Sequence, residues 1–600
     1  MYKSRTIFLA QALVVFLFMV FLSGAQGAER ETQTLKMNNG LEVLLTHDAE
    51  VHRSAAALSV GVGYYYDPEE KSGLAHYLEH MLFLGTKKFP EVGSYKKYLT
   101  ENSGGANAYT SGNLTNYFFE VSHEGFDGAL DRFSDFFKAP LFDKKYAERE
   151  VNAVNSEHDK NRLSDGWRGQ YVKNLMSEKG HPLRKFGTGN KETLAGDNTS
   201  VLLEFYKKFY AASNMKLAIL SNRPLKEQAA LVEKYFNDIP NHKVVLPVID
   251  SNFRKKLDGK YRLLKIKTIK DVRSLTIYFP TIRLHDHLES KPATIIGSLI
   301  GHEGKGSLLS LLKEEGLVLG LSAGGGQSHH DLSSFGINLS LTKKGVANYE
   351  RVLELVFAYI KMLRQHGTEE YTYLENQVMA ETDYKWKDPD EGMGFVAGRA
   401  GLMHDYPLEE VETLPYLFTK YDPQVYLKLL ETLTPENSLV VLQTNSVEVN
   451  QSEPIYEAEY SLTEVDGAKF DKLSSSPVVE GLLYPAKNDF IPYNLELVKD
   501  VPHLVWDDDL AKVWFQFDNR FKQPRMFMQL RIETPLVYDS VKHSQVASLY
   551  NRMVQEGLNE IVYPIQLAGL SYSLGTEKKG MVLSIGGYSE RVGDLLRLVT

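Results

Sequence analysis

Residues 72–86 read Ser72-Gly73-Leu74-Ala75-His76-Tyr77-Leu78-Glu79-His80-Met81-Leu82-Phe83-Leu84-Gly85-Thr86, and this stretch decides the fold. Ser72 is placed to cap a helix that runs to about Phe83. On a helix, residues four apart share one face, with Cβ atoms about 6 Å apart. His76 and His80 can thus offer two imidazoles to one metal ion. Glu79 precedes the second His and is displaced around the helix. That placement suits a carboxylate acting on metal-activated water rather than on the metal.

Two imidazoles do not complete a catalytic zinc site, which takes three protein ligands and one open position. The candidate third ligand is Glu157, in the run Glu148-Arg149-Glu150-Val151-Asn152-Ala153-Val154-Asn155-Ser156-Glu157-His158. Asp143 can cap this helix, which spans about 144–162. Glu150 and Glu157 are two turns apart on one face, about 10 Å along the axis. Val151 and Val154 give an apolar side to bury. Glu157 would bind the metal, and Glu150 would accept an imidazole N–H and orient a ligand. His158 points about 100° away and reads as a non-ligand. The pattern is H-x-x-E-H, the reverse of H-E-x-x-H. In a chain with 17 His, it arises by accident in about 3% of such sequences.

The composition agrees with a folded chain of several domains. It is 43% hydrophobic and 24% charged, which excludes long disorder and collagen-like repeats. Lys plus Arg number 68 against 77 Asp plus Glu, a formal charge of -9. That balance argues against a general nucleic-acid binder. Cysteine is absent, which removes disulfide frameworks, thiolate zinc sites, iron–sulfur clusters and cysteine nucleophiles. Any metal must be held by His, Asp or Glu.

The N-terminus reads as a signal peptide over residues 1–27. Lys3 and Arg5 precede the apolar run 7–22, and the small residues Ser23, Gly24 and Ala25 follow. Cleavage after Ala25 or Gly27 fits. The apolar run is shorter than the roughly 20 residues of a membrane span, so a retained anchor is the alternative. The expectation is an exported protein, periplasmic or secreted, with no membrane span after signal removal.

The mature chain divides into units. The first, 28–250, opens with a hairpin around Asn38-Asn39-Gly40, then strands near 55–62 and 115–121. Phe126, Leu130, Phe133 and Phe137 recur at helical spacing. The second unit, 251–485, has strands at 261–266 and 274–279 and helices from Pro292 and Ser307. Gly304, Gly306, Gly324, Gly325 and Gly326 mark its loops. Proline and acidic runs make 486–512 a linker. A third unit, 513–600, has strands at 513–517 and 526–532 and a helix near 543–554. Its last helix, with Ser589 as cap, still runs at Thr600. A unit matching the first two needs about 130 more residues, so the sequence reads as truncated. The expected class is α+β: repeated two-layer α/β domains, two complete and a partial third.

These residues resemble the M16 metallopeptidases, the inverzincin family of pitrilysin and insulin-degrading enzyme. The family pattern is H-x-x-E-H with a Glu 77 residues after the second His; here Glu157 lies 77 positions after His80. Asn107-Ala108-Tyr109-Thr110 resembles the family's substrate-pairing edge strand. His302-Glu303-Gly304-Lys305-Gly306-Ser307-Leu308-Leu309 resembles a second-domain stretch near the site that holds peptide N-termini. Leu567-Ala568-Gly569-Leu570-Ser571-Tyr572 resembles the third domain.

The resemblance implies four related α+β domains, joined in pairs by a linker and closing around a chamber. It implies one Zn²⁺ per chain, in the first domain only, held by His76, His80 and Glu157, with Glu150 behind. The implied activity is that of a zinc-dependent endopeptidase with Glu79 as general base. Substrate would lie as an added strand along Asn107, Ala108 and Tyr109; Tyr109 would pack on a substrate side chain or in the core. His302, Gly304, Gly324 and Gly325 would face a peptide terminus. A fourth domain would supply an Arg and a Tyr to the site. The implied partners are peptide substrates and a C-terminal half of the same protein, with no nucleic acid. The alternative is a non-catalytic peptide-binding half, or a partner subunit of a paired assembly; the intact Glu79 argues against it. A short two-domain processing type is disfavoured by the third unit. His329-His330 and His285-Asp286-His287 lack ligand spacing with a third partner and read as surface residues.

Overall fold

The computed structural model describes residues 30–386, 390–495, 503–507, 512–515 and 523–600. The expected signal peptide (1–27) and residues 496–502 and 508–511 of the expected linker lie outside the described residues.

Gly40 takes φ +88°, a conformation that costs other residues energy, and the chain reverses there. β1 (Glu31–Lys36) therefore pairs antiparallel with β2 (Glu42–His47). β3 (Ser54–Val60) is buried at every position. Such a strand needs cover on both faces of its sheet. β4 (Gly105–Thr110), β5 (Thr115–Val121) and β6 (Met215–Ser221) complete a six-stranded sheet of order β1-β2-β6-β3-β5-β4. One face carries α1 (Leu74–Leu82), α2 (Ser94–Glu101), α3 (Phe126–Asp135), α4 (Lys144–Asn161), α6 (Thr199–Phe209) and α7 (Leu225–Phe236) around a large aromatic core. Between α4 and α6 lies α5 (Asp165–Leu175).

The second unit repeats this topology. Its strands are β7 (Tyr261–Ile266), β8 (Arg273–Pro280), β9 (Val318–His329), β10 (Leu332–Leu341), β11 (Leu439–Thr444), β12 (Gln451–Ser452) and β13 (Glu459–Val465). Their order is β12-β13-β7-β11-β8-β10-β9. β2 with β6, and β7 with β11, are the parallel pairs. Strand for strand, β9 is the counterpart of β4, and both are sheet edges. The helices are α8 (Pro292–Ile300), α9 (Leu308–Glu314), α10 (Lys343–Ala347), α11 (Tyr349–His366), α12 (Glu370–Trp386), α13 (Gly392–Leu402), α14 (Pro423–Thr432) and α15 (Gly467–Ser475).

The two units exchange helices. α5, from the first, covers the outer face of the second sheet: Val172 is buried among Leu264, Ile266, Leu439 and Val441. α13, from the second, covers the outer face of the first, with Phe395, Val396 and Ala400 against Ala55, Ala57 and Leu220. Asn116 Nδ2 donates to the Ala397 carbonyl at 2.9 Å in that interface. This exchange accounts for the burial of β3 on both sides.

Beyond it, β14 (His503–Asp507) and β15 (Lys512–Phe515) form a ribbon. β16 (Arg525–Glu533), β17 (Ser571–Glu577) and β18 (Gly580–Tyr588) form a sheet of order β16-β18-β17. With them are α16 (Val541–Gly557), α17 (Asn559–Leu567) and α18 (Val592–Val599). This region is tied to the second unit by Tyr588 O–H donating to Asp383 at 3.2 Å and by Asn559 donating to Glu303 at 3.1 Å. No described helix is long and apolar enough to cross a membrane.

Three sequence expectations are corrected. Ser589 does not cap the last helix; it opens the 3-10 turn Ser589–Arg591, and Arg591 is the cap position of α18. Ser72 does not cap α1; Gly73, at φ +87°, is the cap position, and no side chain caps from there. The carboxylate of Asp67 takes that role, accepting from Gly73 N–H at 2.7 Å and Ala75 N–H at 2.9 Å. Gly324, Gly325 and Gly326 are not in a loop but inside β9, paired with Gly336, Phe335 and Ser334 of β10. At Gly325 a Cβ would come within 2.3 Å of the Ala293 methyl on α8, so close helix–sheet packing requires the glycine.

Candidate metal centre

α1 is buried along Leu74, Tyr77, Leu78, Met81 and Leu82, which leaves His76 and His80 on its other face. The rings of His76 and His80 lie 4.8 Å apart and perpendicular. α4 crosses in front of them, anchored by buried Val154 and capped by Asp143, whose carboxylate accepts from Lys145 N–H. Glu157 on α4 places Oε2 3.4 Å from His76 Nε2 and Oε1 3.6 Å from His80 Nε2. Tetrahedral ligands at about 2.0–2.1 Å from zinc lie roughly 3.3–3.4 Å from one another. Two imidazole nitrogens and a carboxylate at these separations fit a zinc ion.

The other nitrogens are oriented from behind. His76 Nδ1–H donates to the Thr188 carbonyl at 2.8 Å, which leaves Nε2 with its lone pair toward Glu157. His80 Nδ1 faces Glu150 Oε2 at 3.6 Å. Glu150 is held below the usual carboxylate range, first by His80 and then by Arg149. Burial alone would lower the His80 pKa, but Glu150, Glu79 and Glu157 together raise it.

Glu79 is 7% exposed. Burial raises its pKa, opposed by His76 and by the hydroxyl of Thr110, which donates to Oε2 at 2.7 Å. His158 turns away, packed against Phe186 and Tyr456, and burial lowers its pKa.

These groups line a cleft of about 530 Å³ together with Asn107, Ala108 and Tyr109 of β4. β4 pairs only with β5 within its sheet. Tyr109 is 43% exposed, its hydroxyl 3.2 Å from Asn116 Nδ2, so it is not a core residue. From the second unit, Tyr456 reaches the same cleft.

His302, Gly304, Gly324 and Gly325 do not line it. Gly304 N–H donates to His302 Nδ1 at 3.0 Å, and its carbonyl accepts from Ser307 N–H. Both its backbone groups are therefore engaged locally. Burial lowers the His302 pKa to about 4, and its ring packs on Tyr563 of α17.

Sequence reading missed Asp67, Thr110 and Thr188. Thr188 acts through a main-chain oxygen and leaves no residue signature. It also missed that His285 and His330 find a third partner, Asp405. His329 is not a surface residue either, being 8% exposed.

Comparison with known proteins places the chain in a family. Residues 42–179 match the family described as insulinase (peptidase family M16), 198–377 the peptidase M16 inactive domain, and 384–600 the middle or third domain of peptidase M16. The last match begins inside the second unit as its sheet defines it, since β11 and β13 follow residue 384. The chain is 37% identical over 586 residues to insulin-degrading enzyme of Homo sapiens, covering 95% of this chain and 57% of that protein. It is 34% identical over 584 residues to the A-factor-processing enzyme of Saccharomyces cerevisiae, covering 95% and 57%. The crystal structure of pitrilysin superposes with a TM-score of 0.85 at 29% identity, covering 96% of this chain and 63% of that one. The chain thus spans less than two thirds of the length of these relatives. Matched to one family three times along its length, the chain belongs to peptidase family M16, the insulinase and pitrilysin type.

Proposed function

We propose that this chain is the metal-bearing part of a zinc-dependent endopeptidase that hydrolyses peptide bonds in peptides or small proteins. The observation that carries the reading is the meeting of His76, His80 and Glu157 at ligand spacing beside a buried Glu79. Bound there, zinc supplies Lewis acidity that brings the pKa of water to about 7 and polarises a carbonyl. Glu79 is the general base: it takes a proton from water and returns it to the leaving amine. Thr110 fixes which carboxylate oxygen faces the cleft.

The outer edge of β4, which pairs with no strand among the described residues, offers backbone groups to an extended peptide, which binds as an added strand with little demand on side-chain sequence. The name of insulin-degrading enzyme and the peptidase family support peptide substrates. The segment 1–27 supports export to the periplasm or the exterior. A purely peptide-binding role has no use for a base buried against the ligands, and that disfavours the non-catalytic reading.

A quenched fluorescent peptide tests the proposal. Cleavage should be abolished by chelator and restored by Zn²⁺. Glu79→Gln should bind zinc and lose turnover; retained peptidase activity in that variant refutes the base assignment.

A further inference from the structure

A second set of metal-type ligands lies away from the cleft. His285 sits in the short 3-10 turn Leu284–His287, His330 in the β9–β10 turn, and Asp405 just beyond α13. Among the described residues, only this trio and the one at the cleft gather three such donors. His330 Nδ1 lies 3.4 Å from His285 Nδ1 and 3.3 Å from Asp405 Oδ1. These are the separations seen at the first centre, and those of tetrahedral zinc ligands.

The ligands are held from outside. The His404 ring, beside Asp405, packs against Gly61 of the first unit, with Nε2 3.4 Å from the Ser59 carbonyl. His329, beside His330, shares a hydrogen bond with the Tyr66 hydroxyl at 3.1 Å. Tyr66 immediately precedes Asp67, which holds the start of α1. Arg283 is nearby but engaged, 3.2 Å from Asp331. Asp405 and His330 are part-exposed, which leaves room for water as a fourth ligand.

We propose that His285, His330 and Asp405 form a second binding site for a divalent zinc-type cation, which fastens the β9–β10 turn to the end of α13 at the junction of the two units. Two imidazoles and a carboxylate select a borderline ion such as Zn²⁺ over Ca²⁺ or Mg²⁺. None of the three lines the cleft, so the site is distinct from it, and its place between turn and helix end suits a fastening role.

The test counts metal. The chain is stripped with chelator, reloaded with Zn²⁺ and measured by elemental analysis. Two zinc ions per chain are expected, one in a His76→Ala/His80→Ala variant, and none when His330→Ala is added. Asp405→Asn, which keeps shape, should weaken the second site by about 10-fold or more, and Co²⁺ in the His76→Ala/His80→Ala background should give a tetrahedral visible spectrum that Asp405→Asn removes. Zn²⁺ should also raise the melting temperature of the His76→Ala/His80→Ala variant. A single zinc in the unaltered chain, or a count in the His76→Ala/His80→Ala background that His330→Ala and Asp405→Asn leave unchanged, overturns the proposal.

Discussion

The carbonyl oxygen of Thr188 accepts from Nδ1 of His76 at 2.8 Å, and so sets which imidazole nitrogen is free for metal. The strap carrying Thr188 touches α1 at two glycines. A Cβ on Gly73 would stand 2.2 Å from Gly189 Cα, and both residues have positive φ. Gly73→Ala therefore has to push the strap off the helix. Zinc affinity is expected to fall about 10–100-fold, read by competition with a chromophoric chelator. An unchanged affinity would show that the Thr188 contact does not orient His76.

Glu150 is the counterpart behind His80. Glu150→Gln keeps the shape but removes the charge that faces His80 Nδ1 at 3.6 Å. A drop of about 10–100-fold in zinc affinity is expected, with the circular dichroism spectrum unchanged. Should Arg149→Ala weaken metal binding as much as Glu150→Gln does, the effect belongs to the helix surface rather than to the His80 contact.

Thr110 joins the proposed base to β4, since it ends that strand and donates to Glu79 at 2.7 Å. Thr110→Val removes the donor and keeps the volume. A loss of about 1.4 kcal/mol of transition-state stabilisation is about 10-fold in rate, close to the low end of what one hydrogen bond to a charged group contributes. The expected result is kcat down about that much with zinc content unchanged. A rise in KM alone would assign Thr110 to strand pairing instead.

Asp67 makes folding stability depend on pH. Burial raises its pKa to about 7, although the N–H groups of Ala75 and Gly73 and the Lys185 charge favour the anion. The ordinary value is 3.8. Between these two pH values the folded state holds a proton that the unfolded chain has released. Stability from this group is therefore full below pH 4 and lost as pH rises through 7, with a slope of at most about 1.4 kcal/mol per pH unit. Asp67→Asn should flatten that part of the denaturation profile relative to the unaltered chain. Superposable slopes in the two proteins would show that Asp67 is ionised throughout.

The meeting of the candidate metal ligands was legible in the sequence because its information is local. His76 and His80 share a helix face by spacing alone, and Glu150 and Glu157 share another. What was not legible acts through the backbone or between distant segments. The Thr188 carbonyl has no side-chain signature. Asp67 lies too far before α1 to read as a cap, so Ser72 was the natural choice. The glycines at 324–326 suggest a loop by composition, yet Gly325 is needed where α8 meets the sheet. Asp405 is 75 residues from His330, and only the return of the chain through α13 brings them together.

That return gives the last prediction. α13 and α5 are each buried on the sheet of the other unit, so neither unit keeps its outer face covered alone. Phe395 is 5% exposed, stacked under Arg30 and Arg399. Phe395→Ala should cost about 3–5 kcal/mol, and Val172→Ala, which removes fewer carbons, roughly 2 kcal/mol. Because the helices are exchanged, loss at either site exposes both sheets. Hydrogen exchange should therefore rise in β3 and β6 for Phe395→Ala and in β7 and β11 for Val172→Ala, with a smaller rise in the partner sheet each time. Exchange confined to the sheet directly under the substituted helix would mean that the two units fold independently and that the exchange of helices is packing without coupling.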